Sequence, residues 1–268
     1  MEAFDHNGLR LFYRVTGEGR PLVFLHGMGG STQQIDAVYD PIPGVQLITM
    51  DQQGHGESDA HWETFSFDRL ADDVIALLDR LSLEKVTLAG ISMGAAVSLN
   101  LAARYPRRVE KLLLIRNAWT DQPMSEEVQI AYRDLGLALA EDSVERFYAS
   151  EGWRIVAEPS DYTRGAFLSP FRDPSSLKNW KKYLLLPPQK AVSSAEVLHQ
   201  LAVPVHILAN RNDLCHPFAC GVYLSKQIPH ASLTEIPDKD SDAAGHKAAV
   251  NRAIRAVMGE EKKERSPL

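Results

Sequence analysis

The chain has 268 residues, 44% of them hydrophobic, which is enough to bury the core of one α/β domain carrying an insertion. A net charge of −6 and a pI near 5.9 provide no basic surface, so we expect no nucleic-acid partner. The sequence shows no basic and apolar leader and no run of roughly 18 apolar residues that would cross a bilayer. We therefore expect a cytoplasmic protein without a membrane partner.

The first elements predict an antiparallel pair ahead of a parallel sheet. Residues 9–15 alternate apolar and polar positions and residues 17–19 read Gly-Glu-Gly, which predicts an antiparallel hairpin. Short apolar runs of the kind buried on both faces of a parallel sheet follow at 21–25, 45–50, 86–89 and 109–115. Between the second and third runs, apolar residues at helical spacing predict a crossover helix: Leu70, Val74, Leu77, Leu78 and Leu81.

The strand rhythm stops at about Trp119 and resumes after Leu198. A stretch of that length is too long to be structureless in a compact domain, so we predict an inserted helical cap. Strands are then predicted at 203–209 and 231–236, a closing helix at 243–258 and a frayed, charged tail at 259–268. The predicted division is a core of 1–118 and 199–268 with a cap of 119–198.

The two cysteines, Cys215 and Cys220, are too close in sequence to join distant elements. A metal site would need further Cys or His residues at fixed spacing. We therefore predict two free thiols and no bound metal.

A serine lies on a tight turn after the third apolar run, where residues 90–94 read Gly-Ile-Ser-Met-Gly. In such a turn the glycines allow close packing that exposes a strained serine Oγ above the sheet. Ser92 is therefore the candidate nucleophile, and the backbone N–H of Met93 is a candidate oxyanion donor. The alternative for Ser92 is a small buried residue that packs a helix against a strand.

Other strand ends carry further candidates, and the C-terminal ends of parallel strands meet at one edge of a sheet. The loop 26–30, His-Gly-Met-Gly-Gly, follows the first run and makes the Met28 N–H the second candidate oxyanion donor. Asp213 follows the 203–209 strand and is the candidate orienting acid, with a helix cap as the alternative role. Asn117, after the 109–115 strand, provides no carboxylate.

The candidate base is His246, which follows the last strand and leads into the closing helix. His26 and His55 lie in glycine-rich turns that fix loop geometry, and His206 lies inside a strand. The remaining competitors are His199, His216 and His230. The resulting order along the chain is Ser, Asp, His.

These motifs together resemble the α/β-hydrolase fold family, in its single-domain form with a helical cap. The resemblance covers nearly the whole chain: the His26-Gly27 loop, the turn 51–58, the Ser92 elbow, Asp213 and His246, in the family order. It implies a mostly parallel, eight-stranded sheet with helices on both faces. It also implies a Ser-His-Asp triad, no cofactor, and a substrate pocket between sheet and cap.

Three positions depart from the family pattern. Gln53 stands where arginine is common, so a supporting ion pair is expected to be missing. Met28 stands where glycine is common, which predicts a narrow pocket for a small or apolar acyl group. The loop 237–245 is long and acidic, which leaves open which carboxylate orients His246.

Two residues are candidates for substrate binding. Arg116 ends the 109–115 strand at the expected pocket edge, where it would hold a substrate carboxylate or phosphate. A pairing with a carboxylate of the cap is the slightly favoured alternative. Trp119 would line an apolar pocket, although helix aromatics more often pack against the domain below.

The residues predict a serine hydrolase that cleaves a small carboxylic ester, lactone or thioester through an acyl-enzyme on Ser92. The same triad would serve a C–C bond hydrolase, an acyltransferase or a perhydrolase, and a slow-turnover ligand receptor is a further alternative. In each case the expected partner is a small molecule, and the chain is expected to be a monomer or homodimer.

Overall fold

A computed structural model of the protein describes residues 1–259, so residues 260–268 of the predicted tail and core range lie outside the described residues. The strands in the described part are β1 (Glu2–His6), β2 (Leu9–Thr16), β3 (Arg20–Leu25), β4 (Val45–Asp51), β5 (Val86–Ile91), β6 (Val109–Ile115), β7 (Val205–Ala209) and β8 (Ser232–Glu235). They form one sheet in the order β1-β2-β4-β3-β5-β6-β7-β8. Pairing is antiparallel for β1–β2 and β2–β4 and parallel for the rest. The predicted eight-stranded, mostly parallel sheet is confirmed.

The antiparallel hairpin forms between β1 and β2, before the turn at 17–19 where we expected it. Asn7 and Gly8 join β1 to β2 with φ values of 50° and 77°, the left-handed backbone that a two-residue hairpin turn requires. The Gly17–Gly19 segment instead carries the chain to β3, which does not pair with β2. The Asn-Gly pair was the stronger hairpin signal.

Helices cover both faces of the sheet. On one face lie α1 (Thr32–Val38) and α12 (Ala243–Val257), and on the other lie α2 (Phe67–Arg80), α3 (Met93–Arg104) and α11 (Phe218–Gln227). The predicted crossover helix is α2, whose apolar residues at helical spacing are buried and whose N-terminus is capped by the Ser66 side chain. Each face thus has its own apolar core, and the sheet edge between them is left for the site.

The chain between β6 and β7, residues 116–204, is called the cap segment below. Its α-helices are α4 (Glu126–Ala140), α5 (Val144–Tyr148), α6 (Glu151–Ala157), α7 (Asp161–Leu168), α8 (Pro174–Lys178), α9 (Lys182–Leu185) and α10 (Ala195–His199). Short 3₁₀ turns lie at Trp62–Thr64, Pro106–Arg108 and Ser169–Arg172.

Among residues 1–259, no helix combines the length and apolar character that a membrane span needs. The division into separate core and cap domains stays a prediction.

Candidate active site

Ser92 occupies a strained turn between β5 and α3. Its φ of 55° and ψ of −111° lie outside the regions that non-glycine residues favour, and its N–H donates to the Ile115 carbonyl at 2.9 Å. A Cβ on Gly90 would overlap the Gly94 backbone, and one on Gly94 would overlap the Leu25 carbonyl. The two glycines are therefore required by close packing, which holds the serine in its turn.

The histidine that contacts this serine is His216. Its Nε2 lies 2.8 Å from Ser92 Oγ, and its Nδ1 lies 2.9 Å from Asp213 Oδ1. An ionised carboxylate can only accept hydrogen bonds, so Nδ1 carries the imidazole proton and Nε2 accepts from the serine hydroxyl. Ser92, His216 and Asp213 therefore form one directed chain of hydrogen bonds, as a nucleophile with its base and orienting acid requires.

The structure corrects the expected histidine partner, because it does not bring His246 to Ser92. Asp242 caps α12 by accepting from the Gly245 N–H, so His246 is already in the first turn of that helix. There it is buried, and its Nδ1 hydrogen-bonds to the Pro237 carbonyl at 2.8 Å. In this chain α12 begins at Ala243, so His246 lies in a helix rather than in the loop after β8.

A sequence signal for His216 existed in the spacing Asp213-Leu214-Cys215-His216. Asp213 Oδ1 also accepts from the backbone N–H of His216 at 3.1 Å, the local turn that aspartate forms with residues just after it. Pro217 then ends the turn and precedes α11. The prediction of Asp213 beside the imidazole therefore matches the geometry, although the imidazole belongs to a different residue.

The surroundings of His216 and Asp213 keep the imidazole neutral, so that it can accept a proton. Burial lowers the pKa of His216 below its usual 6.5, and the nearby Arg116 adds to that lowering, while Asp213 opposes it. Burial alone would raise the pKa of Asp213, but His216 and Arg116 outweigh it and hold that pKa well below its usual range. At neutral pH the imidazole is therefore neutral and the carboxylate ionised.

Arg116 is not available to anchor a substrate carboxylate. Its Nε and Nη2 donate to Asp213 Oδ2 at 2.9 and 2.6 Å, and its Nη1 donates to the Tyr162 hydroxyl at 3.1 Å. The predicted partner in the cap is also corrected, because the carboxylate it binds belongs to the loop after β7. All three nitrogens of the guanidinium thus have hydrogen-bond partners inside the protein.

Trp119 does not line the site. Its side chain is fully buried, its Nε1 donates to the Leu186 carbonyl at 3.1 Å, and its ring packs edge-on against Phe67. A large indole with a satisfied N–H stabilises the junction between α2 and the cap segment. The substrate-binding prediction for Trp119 is therefore corrected to a packing role.

A cavity of about 410 Å³ lies over Ser92 and His216. The cap segment forms its apolar wall with Tyr132, Leu135, Phe167, Pro170 and Tyr183, and Met28 lines it from the core. Met28 thus lines the cavity from the side of the glycine-rich loop, and its expected narrowing of the acyl pocket stays a prediction. The volume suits a small ligand.

Hydrogen bonds of His26 and Gly27 fix the glycine-rich loop that contains Met28. The Gln52 N–H donates to His26 Nε2 at 3.1 Å, and the Gly27 N–H donates to Gln34 Oε1 at 2.7 Å. Burial lowers the pKa of His26 to about 4, so its ring stays neutral and able to accept that bond. His26 thus fixes loop geometry, while Met93 is the first residue of α3, directly after Ser92. The role of the Met28 and Met93 N–H groups as oxyanion donors stays a prediction.

Comparison with known proteins decides the family. A sequence model described as the alpha/beta hydrolase fold matches residues 20–148. A curated relative from Bacillus subtilis, AB hydrolase superfamily protein YisY, is 30% identical over 83% of this chain and 85% of its own length. The chain belongs to the α/β-hydrolase family.

Two further comparisons show how broad this hydrolase family is. 3-Oxoadipate enol-lactonase 2 of Acinetobacter baylyi is 27% identical over 79% of this chain and 78% of its own length. MGS-M2, an α/β-hydrolase enzyme from a deep-sea metagenome library, superposes with a TM-score of 0.79, covering 99% of this chain and 100% of that one, at 16% identity. At that identity the likeness shows the shared fold alone.

The departure at Gln53 has a local consequence in this hydrolase. Gln53 Nε2 donates to Asp73 Oδ2 at 2.6 Å. A hydrogen bond from a neutral amide therefore stands where the family pattern would place the ion pair of an arginine. Burial raises the pKa of Asp73 to about 7, and the hydrogen bond from Gln53 opposes that rise only in part. The substitution therefore leaves a buried carboxyl that titrates near neutral pH.

Proposed function

We propose that the protein is a serine hydrolase that cleaves small carboxylic esters, lactones included, through an acyl-enzyme on Ser92. The observation that carries this proposal is the contact of His216 Nε2 with Ser92 Oγ, at 2.8 Å, with Asp213 on the opposite ring nitrogen. The serine also opens onto a cavity large enough for a small ester.

The mechanism follows from the hydrogen-bond directions. His216 takes the proton of Ser92 as Oγ attacks the substrate carbonyl, and Asp213 stabilises the imidazolium that forms. The carbonyl oxygen becomes an oxyanion that the backbone N–H groups of Met28 and Met93 are proposed to bind. His216 then gives its proton to the leaving oxygen. A water activated by the same imidazole releases the acid and restores Ser92.

The cavity favours an uncharged substrate with a small apolar acyl group. From the cap segment, Leu135, Phe167 and Pro170 give the wall an apolar side beside the polar Asp161, Thr163 and Ser169, and Met28 lines it from the core. The guanidinium of Arg116 lines the cavity but is already bound to Asp213. A substrate carboxylate would therefore find no free charge at this position, which disfavours a C–C bond hydrolase for a dienoic acid.

Lactones belong in the proposal because ring opening passes through the same tetrahedral oxyanion as ester cleavage. The similarity to an enol-lactonase over 78% of that relative's length supports testing them. In a lactone the leaving oxygen stays attached to the acyl group, so a compact cavity is sufficient.

The test is a pre-steady-state and steady-state assay with p-nitrophenyl acetate, butyrate and octanoate, and with a small γ-lactone. We expect turnover of the short esters, slower turnover of the octanoate, and labelling of Ser92 by a fluorophosphonate probe. Ser92→Ala should lose both activities, by about 10³-fold or more. Ser98→Ala is the matched control, because Ser98 is buried in α3, the helix that begins directly after Ser92, with no hydrogen-bond partner for its Oγ. A folded wild type that neither turns over these substrates nor reacts with the probe would refute the proposal.

A further inference from the structure

We propose that Arg116 is a positioning residue for the Ser92–His216–Asp213 group: its guanidinium holds one oxygen of Asp213 so that the other faces His216. The inference rests on the proposed function, because it assigns the residue that prepares that site. Arg116 contacts Asp213 and the Nδ1 side of the His216 ring, opposite the Nε2 that contacts Ser92. Its effect passes through Asp213 and His216.

The contacts divide the two oxygens of Asp213 between two partners. Oδ2 accepts from both Nε and Nη2 of Arg116, at 2.9 and 2.6 Å. Oδ1 accepts from the backbone N–H and the ring Nδ1 of His216, at 3.1 and 2.9 Å. A forked guanidinium fixes the plane of a carboxylate better than a point charge does. Arg116 therefore sets the orientation of Asp213 toward His216 by binding the opposite carboxylate oxygen.

Arg116 is itself held in place at unusual conformational cost. Its φ is 54°, in the left-handed region that arginine rarely adopts, and its N–H donates to the Leu208 carbonyl at 2.8 Å. The side chain is 4% exposed, and its Nη1 donates to the Tyr162 hydroxyl of α7. Strained backbone that the surroundings enforce is typical of functional sites. The strain here aims a buried cation at Asp213.

The charged and titratable groups around the His216 ring come from several elements. Asp213 lies on the same loop as His216, Arg116 directly follows β6, Lys239 lies in the loop after β8, and Tyr162 lies in α7. Asp213 raises the pKa of His216, whereas burial, Arg116 and Lys239 lower it. Arg116 Nη2 lies 3.1 Å from the ring Nδ1, so it is in direct contact with the ring. Removing that cation should therefore make the imidazole more basic.

The test compares Arg116→Met, Arg116→Lys and wild type by NMR titration of the histidine ring protons, with His216→Gln to assign the His216 signal. Arg211→Met is the matched control, because Arg211 lies on the same loop as Asp213 but is exposed and paired with Glu235. The titration needs no substrate. It therefore reports on Arg116 even if the ester assay fails, and the two proposals can fail separately.

We expect the pKa of His216 to lie below 6.5 in the wild type, to rise by about 1 or more in Arg116→Met, and to move by less than about 0.3 in Arg211→Met. Arg116→Lys should keep that pKa low but reduce kcat, because an ammonium lacks the fork. The acid limb of the kcat/KM profile should move upward with the pKa in Arg116→Met. A folded Arg116→Met with an unchanged His216 pKa would overturn the inference. If that variant does not fold, a wild-type pKa at or above 6.5 would overturn it as well.

Discussion

Asp213 and His216, three residues apart in one loop, are joined by two hydrogen bonds, because Asp213 Oδ1 accepts from both the backbone N–H and the ring Nδ1 of His216. The proposed acid and base are thus delivered by the single connection between β7 and α11. The loop after β8 is left for other contacts: Lys239 donates to the Tyr162 hydroxyl, and Asp240 accepts from the Tyr162 N–H. That loop therefore joins the core to the cap segment.

The first prediction separates the two candidate histidines. His216→Gln should lower kcat for p-nitrophenyl butyrate by about 10³–10⁴-fold, because Ser92 would lose the base that its hydroxyl contacts. His246→Gln is the matched change and should cost less than about tenfold, since His246 bonds to the Pro237 carbonyl. Steady-state kinetics on folded variants checks both. The reverse pattern, with His246→Gln inactive and His216→Gln active, would contradict the geometry.

A second prediction concerns the orienting carboxylate. Asp213→Asn should lower kcat by about 10³–10⁴-fold, because an amide would favour the wrong imidazole tautomer and would not stabilise the imidazolium. Asp238→Asn is the control from the acidic loop, where Asp238 accepts from the Ser241 N–H and does not bond to His216. Rates measured at a saturating concentration of ester decide the matter. Equal losses in the two variants would rule out a specific role for Asp213.

The third prediction follows from the buried carboxyl of Asp73. Its pKa is raised from 3.8 to about 7, so the folded state holds a proton that the unfolded state has already lost at intermediate pH. The stability contribution is fully present below about pH 4 and is lost as the pH rises through about 7. Asp73→Asn should therefore stabilise the protein at about pH 8 by on the order of 2–4 kcal/mol and change little at about pH 4.

Urea unfolding at both pH values tests this expectation. Asp79→Asn serves as the control, because Asp79 lies on the same helix but is 63% exposed and paired with Arg108. It should leave the pH dependence unchanged. An Asp73→Asn variant whose stability gain is the same at both pH values would show that the buried carboxyl does not titrate in this range.

The fourth prediction concerns the glycines of the serine turn. Gly90→Ala should destabilise the protein by about 2–4 kcal/mol, because its methyl group would overlap the Gly94 backbone, which cannot move away as a side chain would. Gly165→Ala, in α7, is the control and should stabilise by about 0.5–1 kcal/mol, since open space surrounds the added methyl. Thermal unfolding of both variants provides the comparison. A Gly90→Ala variant as stable as wild type would contradict the packing described.

The sequence alone predicted the parallel strands, the serine turn and the loop that carries Asp213, while the eight-stranded sheet was implied by the family resemblance. These features are local: apolar runs, a G-x-S-x-G turn and turn-forming residues act through near neighbours in the chain. The Asn7-Gly8 hairpin is equally local, although Gly17 and Gly19 form a competing turn signal nearby.

Only the tertiary structure decided which histidine faces Ser92 and what Arg116 binds. Several histidines follow strands or turns, and the choice depends on where α12 begins and how the loop after β7 closes, which is set by packing. Ser92 and His216 are 124 residues apart, and Arg116 and Asp213 are 97 apart. These contacts form here because the parallel strands β5, β6 and β7 bring their C-terminal ends together. The pattern of residue types is therefore local information, while the pairing of charges and hydrogen bonds is a property of the folded sheet edge.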